Sequence, residues 1–344
     1  MTSIGDPDAI PDFAAFGPYT NPPGVSPSQA CMVFAHLLAE TFDGFLVQAL
    51  YAVAARRCFD HARLFVYHGK VDERLAAVPS MLPDITFTWR ANDRSSIPLD
   101  YFDSSNDAAL RAGSERWYEQ SCDKPDVMLL PSMMDWRHLG AFERPPRLEL
   151  PRDRISKINK AVRERGLAMN WWFCAVAVPD RDSVFDREGF NAALGAATET
   201  VSGRHGAALV LVGDPSTQLA ELPAGVLDLR DLPEGVFAQS YVISKARFLL
   251  ELAPTAWLWI AFGMDVPWLR RAESTEPSKL PGRGCLVAAS LGDFARLNAA
   301  LRAMIAETRE CPLWRPTATI DQRPAPNRLE LPMRPGPDAR FLSF

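Results

Sequence analysis

The sequence predicts an α/β protein whose sheets are parallel, and three observations carry that expectation. Strand-length apolar runs such as ARLFVYHG (62–69), NWWFCAVAVPD (170–180) and AALVLVGDP (207–215) end in Gly, Pro or Asp, the pattern of strands buried on both faces. Segments of helical period alternate with them, which argues for repeated β-α-β units. With 344 residues the chain is long for one core and suits two domains of ordinary size.

In chain order, MVFAHL reads as a strand, followed by a turn near Glu40 to Gly44. A helix follows, with Phe45, Leu46, Ala49, Leu50 and Val53 on its apolar stripe. Asp43 stands where a helix N-cap is expected. Next come the strand at 62–69, a helix from Val71 to Met81 and a strand at DITFTW (84–89). Loop and helix occupy Arg90 to Glu119, and DVMLLP (126–131) is a further strand. RDRISKINKAVRERG (152–166) is a charged amphipathic helix closed by Gly166, and the domain junction is placed there. The second series runs strand 170–180, helix 186–206, strand 207–215, short strand GVLDL (225–229), helix 236–246 and strand RFLLEL (247–252). A helix in TAWLWIAFGMDVPWL (255–269), with a last short strand at Val266 to Leu269, precedes a long amphipathic helix within 291–311. The expected organisation is an N-terminal arm (1–27), one domain at 28–150, a second at 151–290, and a C-terminal helix with a Pro-rich tail (291–344).

Composition excludes several functions. A net charge of -5 with acids and bases interleaved offers no basic tract for a nucleic acid backbone. No run approaches the ~18 apolar residues of a spanning helix, and MTSIGDPDAIPDF has neither the basic nor the apolar part of a secretory leader. A cytoplasmic protein is expected. The six cysteines are scattered without CxxC or Cys/His clustering, so buried thiols are expected and a zinc site is not. No G-x-S-x-G, P-loop, HExxH or complete G-x-G-x-x-G occurs, which disfavours hydrolase, NTPase, zincin and NAD-enzyme chemistry.

An order of features in 170–269 then points to a family. AVAVPDRD ends a strand in a polar turn. A helix leads to VLVGDPS, then the short strand LDL, another helix, and KARFLLELAPTAWLWIAFGMDVPW, with Phe262, Gly263 and Pro267 after its small-residue turn. This resembles the C-terminal half of GT-B glycosyltransferases, especially bacterial heptosyltransferase-like and fucosyltransferase-like proteins. The N-terminal half is similar through AETFDGFLVQALYAVAARR and ARLFVYHG. The resemblance covers about two thirds of the chain and implies two Rossmann-like domains with parallel sheets facing across a cleft. It further implies transfer of a sugar from a nucleotide-sugar donor to a small-molecule or glycan acceptor, without metal or resident cofactor, in making a polysaccharide or specialised metabolite.

Physical chemistry suits that expectation. Ligands of open parallel sheets sit beyond the carboxyl ends of the strands, where helix N-termini favour phosphate. On the acceptor side Asp43 is either a helix cap or the base that takes the acceptor proton, with Glu40 and His36 in the same region. On the donor side stand Arg181, Gly213, Asp214, Arg230, Glu251, Pro254 and Thr255. Each has a plainer alternative: turn chemistry for Gly213 and Asp214, an Asp228–Arg230 ion pair, a solvated turn for Arg181, simple capping for Thr255, a buried structural pair for Glu251. The family's H-x-R-like pattern is replaced by Ala175, Val176 and Ala177, and its Ser/Thr-Gly dipeptide by Ala253-Pro254-Thr255-Ala256. Thr41-Phe42-Asp43-Gly44 stands in place of a glycine-rich loop. A rival reading therefore stays open, a scaffold of this type that binds a partner or does other chemistry.

Overall fold

A computed structural model describes residues 32–58, 62–68, 73–82, 85–90, 127–129, 134, 136–139, 146–167, 171–272, 284–288, 293–308 and 340–341. The expected N-terminal arm, the loop and helix after Arg90 (91–119) and the Pro-rich tail at 312–338 lie outside the described residues. The chain forms two compact units, Met1–Glu149 and Leu150–Phe344.

In the first unit, β1 (Met32–Leu37), α1 (Phe42–Arg56), β2 (Arg63–His68), α2 (Glu73–Ala76), β3 (Ile85–Arg90), β4 (Val127–Leu129) and α3 (Trp136–Leu139) follow in order. The sheet order is β3-β2-β1-β4, all parallel. Helix α1 is buried along almost its whole length, because its apolar residues occur on every side rather than as one stripe. Its N-cap is Thr41, not Asp43. Thr41 has the extended backbone of a cap and its hydroxyl accepts from the Gly44 amide at 3.2 Å, leaving Asp43 exposed in the first turn. The single helix expected from Val71 to Met81 is instead α2 and a 3₁₀ turn at Pro79–Met81. Pro79 lacks the N–H that a continuous helix needs there, although Val78 before it keeps α backbone. The four-residue α3 had no legible periodic signal.

The second unit contains α4 (Arg152–Glu164), β5 (Phe173–Val178), α5 (Arg187–Thr198), β6 (Ala208–Gly213) and β7 (Val226–Asp228). It continues with α6 (Val236–Lys245), β8 (Leu249–Glu251), α7 (Trp257–Gly263), β9 (Trp268–Ala272), β10 (Gly284–Ala288), α8 (Phe294–Glu307) and β11 (Arg340–Phe341). Its sheet order is β7-β6-β5-β8-β9-β10-β11, again all parallel. The first four strands of each sheet, counted along the chain, thus lie in the order 3-2-1-4, the half-sheet of doubly wound folds. Strands β10 and β11 were not anticipated from sequence.

Burial of β5 is complete at all six positions, as its unbroken FCAVAV run requires. Cys174, Val176 and Val178 face a core that takes in Phe190 and Leu194 of α5 and Leu297, Leu301 and Met304 of α8. Alternate residues Ala175 and Ala177 point the other way and are equally buried. Helix α6 packs on β6, and α7 on β8 and β9. The helix expected through 206 stops at Thr198 and continues as a π turn, Glu199–Gly203. There Thr198 Oγ1 donates to Leu194 O at 2.7 Å. Arg247 anchors the far end of α8: Nε donates to Thr308 Oγ1 (2.8 Å), Nη2 donates to Ile305 O (2.5 Å), and the guanidinium lies 4.6 Å from the Trp172 ring centroid. Among the described residues no helix is long and apolar enough to cross a membrane.

Candidate functional site

In the second unit β5 lies between β6 and β8, and the chain leaves the two centre strands toward opposite faces. Helix α5, after β5, joins the core on the face of Val176, whereas α7, after β8, packs outside that core. Such a divergence leaves a crevice at the carboxyl edge of a sheet. Most of the candidate donor residues stand along that edge.

Beside the crevice a buried polar network ties together the ends of β5, β6 and β7. Arg230 is 8% exposed. Its Nε and Nη2 donate to the two carboxylate oxygens of Asp228 at 2.9 and 2.7 Å, and Nη1 donates to the carbonyls of Asp214 (3.0 Å) and Thr217 (2.7 Å). Thr217 in turn donates from Oγ1 to Pro179 O at 2.8 Å. The Arg230 carbonyl accepts from Gln239 Nε2 (2.9 Å), while Gln239 Oε1 accepts the Gly213 amide (2.6 Å). The Arg181 amide donates to Asp214 Oδ2 at 3.2 Å, and Asp214 Oδ1 accepts from the amide and hydroxyl of Ser216. Arg181, Gly213, Asp214 and Arg230 are thereby one connected group. The Arg181 side chain is exposed in its turn.

Gly213 is required here on two grounds. Its φ is +130°, and a Cβ there would collide with the backbone carbonyl oxygen of Val178 on the neighbouring strand. The β6 end is therefore drawn close against β5.

Across the switch point, Glu251, Pro254 and Thr255 form a second group at the end of β8. Glu251 is fully buried. Its Oε1 accepts both the amide (2.6 Å) and the hydroxyl (2.8 Å) of Thr255, so both donors of Thr255 are directed inward. Oε2 lies 3.2 Å from Arg270 Nε, an ion pair rather than a directed hydrogen bond. Pro254 is exposed and has no amide proton.

The first unit's carboxyl edge holds the acceptor-side candidates. Gln48 Oε1 accepts the amides of Leu38 (2.9 Å) and Ala39 (3.1 Å), which fixes the turn leading to Glu40 and Asp43, both exposed. His36, near the end of the central strand β1, is fully buried, and burial lowers its pKa to about 3. It stays neutral at physiological pH. Among the described residues no three His, Cys, Asp or Glu side chains converge as metal ligands.

Three residues escaped sequence reasoning, Gln48 in the first unit and Gln239 and Arg270 in the second. Gln48 is a lone polar side chain inside an apolar run, VQAL, while Gln239 and Arg270 interrupt apolar stretches beside other polar residues, FAQSY and WLRR. That is a usable signal, because a polar group so placed requires a partner.

No family model and no curated protein matches the sequence. Solved structures do match. A glycosyl transferase of family 9 from Veillonella parvula is 10% identical over 80% of this chain and 97% of its own, with a TM-score of 0.52. The ADP-heptose LPS heptosyltransferase II of E. coli is 11% identical over 82% of this chain and 100% of its own, with a TM-score of 0.51. At such identities the likeness is one of fold, and the fold is that of the GT-B glycosyltransferases.

Proposed function

We propose that this protein is a glycosyltransferase that moves a sugar from a nucleotide-sugar donor to a small-molecule or glycan acceptor. The observation that supports the reading best is the parallel seven-stranded sheet with its switch point at β5 and β8, on a chain that shares the GT-B fold over 80% of its length. The shared fold supports a transferase, and the chemistry of the two sheet edges supports the roles of donor and acceptor. The donor's nucleotide would lie along the edge set by Arg181, Gly213, Asp214 and Arg230, with Glu251, Pro254 and Thr255 on its other flank. Asp43 or Glu40, exposed at the end of the first sheet, would take the acceptor's proton. The acceptor oxygen then bonds to the anomeric carbon, the bond to the nucleoside diphosphate breaks, and the diphosphate leaves with the electron pair. No resident cofactor or metal is invoked, the nucleotide sugar being a co-substrate. A cytoplasmic biosynthetic role, in polysaccharide or specialised-metabolite assembly, belongs to the same proposal.

A second reading is favoured by one observation. The donors of Thr255 point to Glu251, and the Arg230 guanidinium is held by Asp228 and two backbone carbonyls. In that reading the chain is a GT-B-like scaffold that binds a partner or runs other chemistry. Incubation with UDP-, GDP-, ADP- and TDP-sugars, followed by thermal shift and released nucleotide, separates the two. Stabilisation with turnover supports the transferase; silence across the panel retires it in favour of the scaffold.

A further inference from the structure

In each unit a buried glutamine on a helix takes backbone amides that lie beyond the strand ladders at the carboxyl edge. In the first unit β1 ends at Leu37. The next two amides, of Leu38 and Ala39, both donate to Gln48 Oε1, which reaches them from the second turn of α1. In the second unit β7 pairs no further along β6 than Asp228 with Leu211, so no residue of β7 stands opposite Gly213. The Gly213 amide donates to Gln239 Oε1 at 2.6 Å instead, from the first turn of α6.

The two glutamines differ in the atoms they use. Gln239 uses both ends of its amide, since Nε2 donates to Arg230 O at 2.9 Å. Among the described residues Gln48 uses its oxygen alone. These partners fix which end of each side chain is oxygen, because an N–H needs an acceptor and a carbonyl needs a donor. At 8% and 5% exposure both side chains are too buried to meet a ligand themselves. Each acts through what it holds: Gln48 the turn that carries Glu40 and Asp43, Gln239 the junction of Gly213, Asp214 and Arg230. Without the side chain, those backbone groups lose their partner away from water.

We infer that Gln48 and Gln239 are positioning residues of the two carboxyl edges, Gln48 through its acceptor alone and Gln239 through acceptor and donor together. The positioning stands on these hydrogen bonds. Only the division of labour, Gln48 for the proton-accepting turn and Gln239 for the donor edge, rests on the proposed transferase reading.

Four variants of the full chain test it: Gln48→Met, Gln48→Glu, Gln239→Met and Gln239→Glu. Thr198→Val is the control, a buried hydrogen bond lost elsewhere, in α5. Hydrogen exchange read by mass spectrometry needs no substrate. Gln48→Met should speed exchange at 38–44, and Gln239→Met at 213–217, each by about 10-fold, as loss of buried hydrogen bonds does. The other edge should stay as it was. A carboxylate still accepts, so Gln48→Glu should keep 38–44 protected. Gln239→Glu should protect 213–217 less well, because it sets an oxygen against the Arg230 carbonyl. Where a nucleotide sugar is turned over, Gln239→Met should raise the donor KM about 10-fold and Gln48→Met should lower kcat about 10-fold, each leaving the other constant within about twofold. Thr198→Val should move neither edge and neither constant. If a Met variant does not fold, the Glu variant at the same position decides. Unchanged exchange at either edge, an even rise along the whole chain, or Gln48→Glu exchanging as fast as Gln48→Met would overturn the inference. So would kinetic losses that do not divide between kcat and KM in this way. Silence on every sugar retires the transferase and leaves exchange alone to decide the positioning.

Discussion

Arg230 donates to both oxygens of Asp228, only two residues away, at 2.9 and 2.7 Å, and through its remaining arm holds the carbonyls of Asp214 and Thr217. A short-range pair of this kind sets the local curve of the chain after β7. The two carbonyl bonds turn it into a brace between the β6 and β7 ends. Gln239, reaching from the first turns of α6, closes the brace on the Gly213 amide.

Arg230→Met should therefore destabilise the protein by about 2–3 kcal/mol, since a charged acceptor and two carbonyls lose their donor together. Asp228 is about one-third exposed at 34%, which keeps the loss below that of a fully buried pair. Urea denaturation measures it. A change under about 0.5 kcal/mol would mean that the brace carries no stability.

Two glycines with left-handed backbones should respond unequally. Gly166 follows α4 with φ +90°, and nothing lies near a Cβ built there. Gly166→Ala should cost only the backbone strain, about 1 kcal/mol. Gly213→Ala adds a collision with the Val178 carbonyl and should cost about 3 kcal/mol or more. Comparable melting temperatures for the two variants would contradict this account of the β5–β6 approach.

His36 predicts an acid weakness. Its folded pKa is about 3 against an ordinary value of 6.5, so between those limits the unfolded chain binds a proton that the folded chain refuses. Stability then falls as pH falls below 6.5, by up to about 1.4 kcal/mol per pH unit. Denaturation of His36→Gln beside the original protein, from pH 7 to 4.5, should show the shallower slope in the variant. Parallel slopes would place the acid sensitivity elsewhere.

Asp231 also weakens the fold in acid, but at lower pH and through a hydrogen-bonded carboxylate rather than burial. Arg165 donates to both its oxygens at 2.8 and 2.9 Å, and that hydrogen bonding, helped by the guanidinium's charge, lowers its pKa below the ordinary 3.8. Its contribution is present above pH 3.8 and disappears as pH falls through the lower folded value. Asp231→Asn should cost a little stability at pH 7, less in high salt because the pair is exposed, and progressively less as pH falls below 3.8. A gap that widened with acid would refute the assignment.

The candidate site divides along the same line between local and distant causes. VLVGDP announced a strand ending in a turn, and Gly213 and Asp214 do stand at the end of β6. Asp228 and Arg230 were recognisable as a pair because two residues separate them. That Arg230 also grips Thr217, or that Glu251 meets Arg270, depends on chain segments 13 and 19 residues apart brought together by strand pairing. No local pattern encodes such partners. Thr41 and Asp43 are both good cap residues, and only the backbone dihedrals at Thr41 chose between them.

By itself the sequence determined the alternation of strands and helices, the parallel character of the sheets and the chemical types available at their ends, because burial periodicity and turn propensity are local properties. The tertiary structure alone decided the strand order that puts the switch point between β5 and β8, and which cations are spent on bracing and which face outward. Those follow from hydrogen-bond pairing between distant strands and from the demand that every buried charge find a partner.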